Sequence, residues 1–349
     1  MAGKTKKKAK GSATIGIDIG GTKSLYALFD DRFEVLADEK FRTHQPRASA
    51  AAFERCHDKA MRRLLREAAK RKLEVRAVGV AFAGLVDMAD GTVRKAPNLE
   101  FLEGFPFQER VAKATGARVF VCNDVQAALY GEVSLGAAKG GRHVLGIWLG
   151  TGIGGALVID GRMHLGASGI AGDIGNYLLQ PVDAATDAPR KEILDNVASR
   201  TAVAGAAAAL AAKRWAKNLR RIAGTDVRDI TSGSLAKAVK QGDKAVEKLV
   251  RSRAALVGTV LSNFVDFINP DTIVLGGGLT SAMPKLIRRE VEKAIEAHAT
   301  PRAAKAVRVV TAKLQDHSGT AGAARLALDM YSGAPPIDLE ASTAPSRGR

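Results

Sequence analysis

Cysteine is nearly absent: Cys56 and Cys122 are the only two in 349 residues. Two cysteines make no disulfide framework, and their separation matches no metal-ligand spacing. Cys122 closes the apolar run Val119-Phe120-Val121-Cys122 and reads as a buried strand residue, so nothing points to an oxidising compartment. Long apolar runs are missing too. None approaches the ~18 residues that span a bilayer, and the alanine-rich stretch 202–212 is too short and too weakly apolar. The lysine-rich start mimics the charged region of a signal peptide. It runs into Gly11-Ser12-Ala13-Thr14 and then Asp18, with no apolar region between. The expectation is a soluble cytoplasmic protein with no membrane partner. Acidic residues are scarce beside basic ones, 36 against 53, for a net charge of +17. A basic body favours polyanions such as nucleotides, polyphosphate or nucleic acid, although a solvated basic surface is the plainer reading. The densest basic stretch, Lys213 to Arg221, spreads its charges around a helix instead of forming one stripe.

What is present suits a globular protein. Apolar residues make up 46% and charged residues 26%. The length suffices for two domains with sizeable cores. Residues 1–12 read as a disordered basic tail and 333–349 as a disordered C-terminal tail rich in Pro, Ser, Gly and Ala. Between them strands and helices alternate. Strands are expected over 14–19, 24–29, 77–83, 119–122, 144–149, 156–159, 272–275 and 306–311. Helices are expected over 51–72, 125–135, 195–212, 245–268, 283–298 and 320–329. The first helix carries Phe53, Met61, Leu64, Leu65 and Ala68 on one face.

The 36 glycines cluster in short runs. Gly20-Gly21-Thr22 and Gly150-Thr151-Gly152-Ile153-Gly154-Gly155 each join two strands, a weak internal duplication. Gly276-Gly277-Gly278 follows an apolar strand and precedes a helix. Backbone N–H groups in such turns can converge on one anion, because no Cβ intervenes. Each turn alone reads equally well as a tight loop. The second turn satisfies G-x-G-x-x-G, but a strand follows it where a dinucleotide site needs a helix. Neither of the first two turns continues into Gly-Lys-Ser/Thr, so a P-loop is excluded as well.

Taken in order, these turns and the residues between them resemble the ROK family (repressors, open reading frames and sugar kinases), within the actin-like ATPase and hexokinase superfamily. The marks are Gly16-Ile17-Asp18-Ile19-Gly20-Gly21-Thr22-Lys23, Ala96-Pro97-Asn98-Leu99, Asn123-Asp124, Gly150 to Gly155, Ala171-Gly172-Asp173-Ile174-Gly175-Asn176, and Asn269-Pro270-Asp271-Thr272 through Gly278. The resemblance runs from about Thr14 to Asp329. It implies a two-domain α/β fold of the actin-like ATPase (ribonuclease H-like) kind with a central cleft. Residues 13–122 would form the first domain, completed by a C-terminal helix at 319–332, and residues 123–318 the second.

The resemblance also implies roles. Asp124 would take the proton from a sugar hydroxyl, although an aspartate opening a helix is also a good N-cap. Gly84, Asn98, Asn123, Asp124, Asp173, Asn176 and Asp195 would contact the sugar; alone, Asn98 and Asn123 read as turn residues. Asp18, Gly20, Gly21, Thr22, Lys23, Thr151, Gly152, Gly154, Gly277 and Gly278 would hold ATP. Asp18 would face Mg²⁺ through water, or else simply cap its glycine turn. The implied activity is transfer of a phosphoryl group from Mg-ATP to a hexose, glucose being the family's default, in a homodimer without specific nucleic-acid binding.

Three positions depart from the family pattern: Asp173 and Asp195 stand where glutamate is usual, and Asn176 where histidine is usual. No cysteine lies between Gln180 and Asn196, so no structural zinc is expected. The alternatives are a polyphosphate-dependent glucokinase, suggested by the basic body, and a non-catalytic sugar-binding regulator. The family's repressors carry an N-terminal helix-turn-helix domain, and 13 residues ahead of the first strand are too few for one.

Overall fold

The computed structural model describes residues 11–43, 49–180, 192–332 and 335–337. The lysine-rich start, most of the expected C-terminal tail and residues 181–191 of the cysteine-free stretch lie outside the described residues. The elements used below, in chain order, are β1 (Gly11–Ile19), β2 (Lys23–Phe29), β3 (Val35–Arg42), α1 (Ala50–Lys70), β4 (Leu73–Phe82), β5 (Arg118–Asn123), α2 (Asp124–Ser134), β6 (Val144–Leu149) and β7 (Ile153–Ile159). They continue with α3 (Leu194–Ala198), α4 (Arg200–Ala212), α5 (Lys244–Ile268), β8 (Thr272–Gly276), α6 (Gly277–Ala282), α7 (Pro284–His298), β9 (Arg308–Thr311) and α8 (Ser318–Met330).

The described residues form two compact units. One is built from the chain up to Gly136, from Arg162–Ile170 and from Asp316 onward; the other comprises Ala137–Gly161 and Ala171–Gln315. In the first, the sheet order is β3-β2-β1-β4-β5. β1 runs antiparallel to β2 and parallel to β4, which is parallel to β5. Strand β1 alternates with period two. Ile15, Ile17 and Ile19 enter the core shared with α1, and Gly16 on the opposite face lies under α8. Gly11 and Ser12, expected in the tail, already belong to β1, because they pair with Leu73 and Glu74 of β4.

Ser49 caps α1 by accepting the Ala52 N–H at 3.2 Å. The helix then buries Phe53, His57, Ala60, Met61, Leu64 and Ala68, spaced three and four residues apart. His57 sits among Phe53, Phe107 and Tyr26, whose hydroxyl lies 2.8 Å from Nδ1. Burial there lowers the imidazole pKa to about 4.

Helix α8 covers the other face of the sheet at backbone contact. A Cβ on Gly79 of β4 would strike the Ala323 carbonyl, and a Cβ on Gly322 would strike the Ala127 carbonyl of α2. This packing keeps α2 in the first unit, which therefore runs to Gly136 instead of ending at Cys122. Part of the expected C-terminal tail is also ordered on this unit. Ile337 is buried, and the Pro336 carbonyl accepts the Met163 N–H at 3.0 Å.

In the second unit β7, β6, β8 and β9 are neighbours in that order. β6 is antiparallel to β7 and parallel to β8, which is parallel to β9. The senses repeat those of β2, β1, β4 and β5, so the duplication glimpsed in two glycine turns extends to four strands. Its core joins both sheet strands and α5, α7 and the alanine-rich α4. Four boundaries differ from expectation. β7 starts at Ile153 instead of 156, so Gly154 and Gly155 lie in the strand and not in the turn. The helix over 195–212 breaks at Ser199, which turns extended (φ −62°, ψ 160°) and caps α4 through the Ala202 N–H. Gly277 and Gly278 begin α6 instead of forming a turn. Residue 306 ends a short helix, Pro301–Ala306, and β9 starts only at Arg308.

Candidate active site

In the first unit, β1 and β5 each end in polar residues. Asp18, the penultimate residue of β1, leads into the tight turn Gly20–Lys23, closed by the Gly20 N–H donating to the Lys23 carbonyl at 3.0 Å. Strand β5 ends at Asn123, and α2 opens at Asp124. The Asn123 carboxamide is an N-cap: Oδ1 accepts the Val125 and Gln126 N–H groups at 3.0 and 3.3 Å. Its Nδ2 donates to the Gly84 carbonyl at 3.1 Å. Asn123 thereby ties the loop after β4 to the start of α2, and this fixes Asp124 beside it. Asp124 is the first helical residue, with Oδ1 accepting the Val125 N–H at 2.9 Å.

Both carboxyls are partly buried. Burial, then the charge of Asp124, raises the Asp18 pKa to about 7, against the opposing pull of Lys23. Burial raises Asp124 to about 6, although the Val125 N–H stabilises its ionised form. A Cβ on Gly319, at the start of α8, would collide with the Asp18 carboxylate, so the backbone there presses directly on it. Asp316, which no motif marks, holds Lys23 at 2.9 Å and Lys40 at 3.2 Å. Asn98 is exposed, and a Cβ on Gly21 would stand 3.2 Å from its own Cβ. Gly84 has no room for a side chain, because the Lys95 carbonyl occupies that space. Asp18, Gly20, Gly21, Thr22, Lys23, Gly84, Asn98, Asn123 and Asp124 therefore share one unit, with the Asn98–Gly21 and Asn123–Gly84 contacts among them.

The second unit holds the others. The turn joining β6 to β7 is closed by the Gly150 N–H donating to the Gly152 carbonyl at 2.9 Å. Thr151 and Gly152 are exposed. Asp195 braces this turn: its Oδ1 accepts the Ile153 N–H, and a Cβ on Gly152 would lie 2.9 Å from the same oxygen. Burial, and secondarily the charge of Asp173, raises the Asp195 pKa. Asn176 and Asp173 are both exposed, and Nδ2 of the first donates to Oδ2 of the second at 2.7 Å. Gly277 has φ +85°, and a Cβ there would meet the Leu149 backbone at 2.5 Å; close packing on β6 thus accounts for this glycine. Gly278 is exposed, with Ser232 Oγ 3.4 Å from where its Cβ would be. Sequence reasoning missed Arg200 and Thr201, which open α4 and bond Thr151. A signal was available: an arginine in the first turn of a helix is electrostatically misplaced.

The arrangement offers two N–H-bearing glycine turns, one paired-carboxylate site and exposed amide and carboxylate groups. Among the described residues no group of three or more His, Cys, Asp or Glu side chains could hold a metal, and no helix is long and apolar enough to cross a membrane.

Known proteins share this fold. A glucokinase from Streptomyces coelicolor is 30% identical over 269 residues, 76% of this chain and 82% of its own. A glucokinase from Thermotoga maritima is 28% identical over 257 residues, 73% of this chain and 80% of its own. The crystal structure of a ROK family glucokinase from Streptomyces griseus in complex with glucose and AMPPNP superposes with a TM-score of 0.75 at 28% identity, covering 91% of this chain and 99% of that one. The model of the ROK family matches residues 14–330. With motifs, fold and near full-length similarity in agreement, the chain belongs to the ROK family.

Proposed function

We propose that the protein is an ATP-dependent sugar kinase that passes the γ-phosphoryl group of Mg-ATP to a hexose hydroxyl, glucose being the first sugar to try. The observation that carries this reading is Asp124: a carboxylate fixed at the start of α2, with its pKa raised to about 6. A base works best when its pKa lies near the working pH, so that it is ionised yet still basic. In the reaction, Asp124 accepts the hydroxyl proton as the hydroxyl oxygen bonds to the γ-phosphorus. The bond from that phosphorus to the bridging oxygen breaks, and ADP leaves with the electron pair. Glucokinase activity named for relatives at 28 and 30% identity supports the same reading.

The remaining roles follow. Gly20, Gly21, Thr22, Lys23, Thr151, Gly152 and Gly154 receive the phosphates. Gly277 and Gly278 lie by the adenosine. Asn98, Asp173 and Asn176 bind sugar hydroxyls. Asn123 and Asp195, whose oxygens already accept backbone N–H groups, position Asp124 and the second glycine turn as well as facing the sugar, and Gly84 contributes backbone. Asp18 would face Mg²⁺ through water: burial first, and then the charge of Asp124, disfavour its ionised form, and a cation there would offset both. Magnesium, when bound, neutralises charge developing on the phosphates.

The test is release of ADP from Mg-ATP against a panel of hexoses, with Asp124→Asn as control. The expected result is sugar-dependent release that falls by roughly 10²–10⁴-fold in the variant. Release without any sugar dependence, or unchanged in Asp124→Asn, would overturn the reading. Transfer from inorganic polyphosphate with no transfer from ATP would replace the donor. Sugar binding without transfer from either would leave a regulator.

A further inference from the structure

Arg200 is the first residue of α4, directly after its Ser199 cap. A cation there faces the positive end of the helix dipole, so the helix itself gives it no stabilisation. Among the described residues, the polar contacts of its guanidinium are two hydroxyls. Thr151 Oγ1 lies 3.3 Å from Nη2 and Thr201 Oγ1 lies 3.5 Å from it. Neither carries charge. Both contacts run through Nη2, which leaves the donors of Nη1 and Nε for a further acceptor.

The location of this cation is set by the backbone. The Arg200 N–H donates to the Gly150 carbonyl at 2.9 Å, and Thr201 Oγ1 donates to the Thr151 carbonyl at 2.7 Å. Asp195 holds the Ile153 N–H from the same stretch of chain. With the chain broken between α3 and α4 at Ser199, this stretch lies against the glycine turn, which is held at Gly150, Thr151 and Ile153, and the guanidinium is delivered to Thr151. Thr151 and Gly152 are exposed there.

We propose that Arg200 is a phosphate-contacting residue, taking an oxygen of the donor's phosphate chain at the Gly150–Ile153 turn. The inference rests on the kinase reading above. Its ligand chemistry is a phosphoryl chain, whether of a nucleoside triphosphate or of inorganic polyphosphate. Arginine suits it: the guanidinium fork pairs with two phosphate oxygens at once. An arriving phosphate also supplies the negative charge that both the guanidinium and the helix terminus lack.

The experiment measures, in the full chain, the affinities of AMP, ADP, a non-hydrolysable ATP analogue and inorganic tripolyphosphate for wild type, Arg200→Ala and Arg200→Lys, together with kcat and KM for ATP. A charge-assisted hydrogen bond lost from a phosphate predicts that Arg200→Ala binds the ATP analogue ~10–100-fold more weakly while AMP changes less than ~2-fold. Arg200→Lys recovers part of the loss, because it restores the charge without the fork. Loss of tripolyphosphate binding alone would assign the inorganic chain as the source, and loss of ATP-analogue binding would assign the nucleotide; either supports the proposal. Equal weakening of AMP and the ATP analogue would mean that Arg200 only shapes the turn, and would overturn it. So would unchanged affinities, or a wild type that binds no phosphate chain. Arg200-dependent binding of the ATP analogue by a protein that phosphorylates no sugar would sink the kinase reading and leave this one standing.

Discussion

Asp124 and Asp195 each accept a backbone N–H, but their surroundings set them to different work. Asp124 receives its bond from the next residue of its own helix, Val125. Asp195 reaches across 42 positions to Ile153 and serves as a brace. Activity should follow the first of these. The proposed base must be ionised, so kcat/KM for the sugar should fall about tenfold per pH unit below the Asp124 pKa and level off above it. With that pKa raised to about 6, the acid limb should bend near pH 6. A profile that stays flat down to pH 4.5 would contradict the assignment of Asp124 as the base. The residue-scale reading of the sequence reached Asp18, Asn123 and Asp124 because short polar motifs at strand ends survive as motifs. It did not reach Asp316 or Arg200. Their partners, Lys23 and Thr151, lie far away along the chain, and no local pattern announces a pair that only folding creates.

Among the elements, the strands and long helices were legible because hydrophobic periodicity is local. The first glycine hairpin was legible almost to the residue. The exposed β3 was not: its burial alternates only between partial and exposed, so its apolar signal is weak. The break at Ser199 was also missed, since the alanine-rich sequence that follows it, joined to Leu194–Ala198, argues for continuous helix. Helix α8 shows what its glycines are for. Gly322→Ala should lower the stability of the first unit by about 2 kcal/mol or more, because the new Cβ meets a carbonyl of α2 that belongs to a packed backbone. Gly205→Ala, in α4, provides the opposite case. A Cβ there meets nothing within 4 Å, so it should raise stability by about 0.5–1 kcal/mol through helix propensity alone. Urea unfolding of both variants checks the pair, and a loss in Gly205→Ala or none in Gly322→Ala would count against this account of the packing.

For the whole molecule, the order of segments matters more than their number. The first unit draws on three stretches of chain, the last of them beginning at Asp316, whereas the second is assembled within 137–315. Each has its own hydrophobic core. A chain stopped after Gln315 should therefore retain a protease-resistant fragment spanning the second unit, while the first unit, stripped of α8, is digested. Limited proteolysis followed by mass measurement checks this. Survival of the first unit in that truncated chain would show that α8 is dispensable to it.

The same dependence has a meaning in time. Proteins commonly fold in the direction of synthesis, their N-terminal domains first. Here that order is inverted for the unit bearing Asp18 and Asp124. At about 5–20 residues per second, a ribosome makes Gly319 roughly 15–60 s after Asp18, and until then the sheet has no cover on its α8 face. The half of the protein with the proposed base is thus the last to be finished, although it is the first to be begun. A nascent chain passes through most of its synthesis with β1 and β4 made but uncapped, and it closes its carboxylate site only when all three glycine runs proposed to hold ATP already exist.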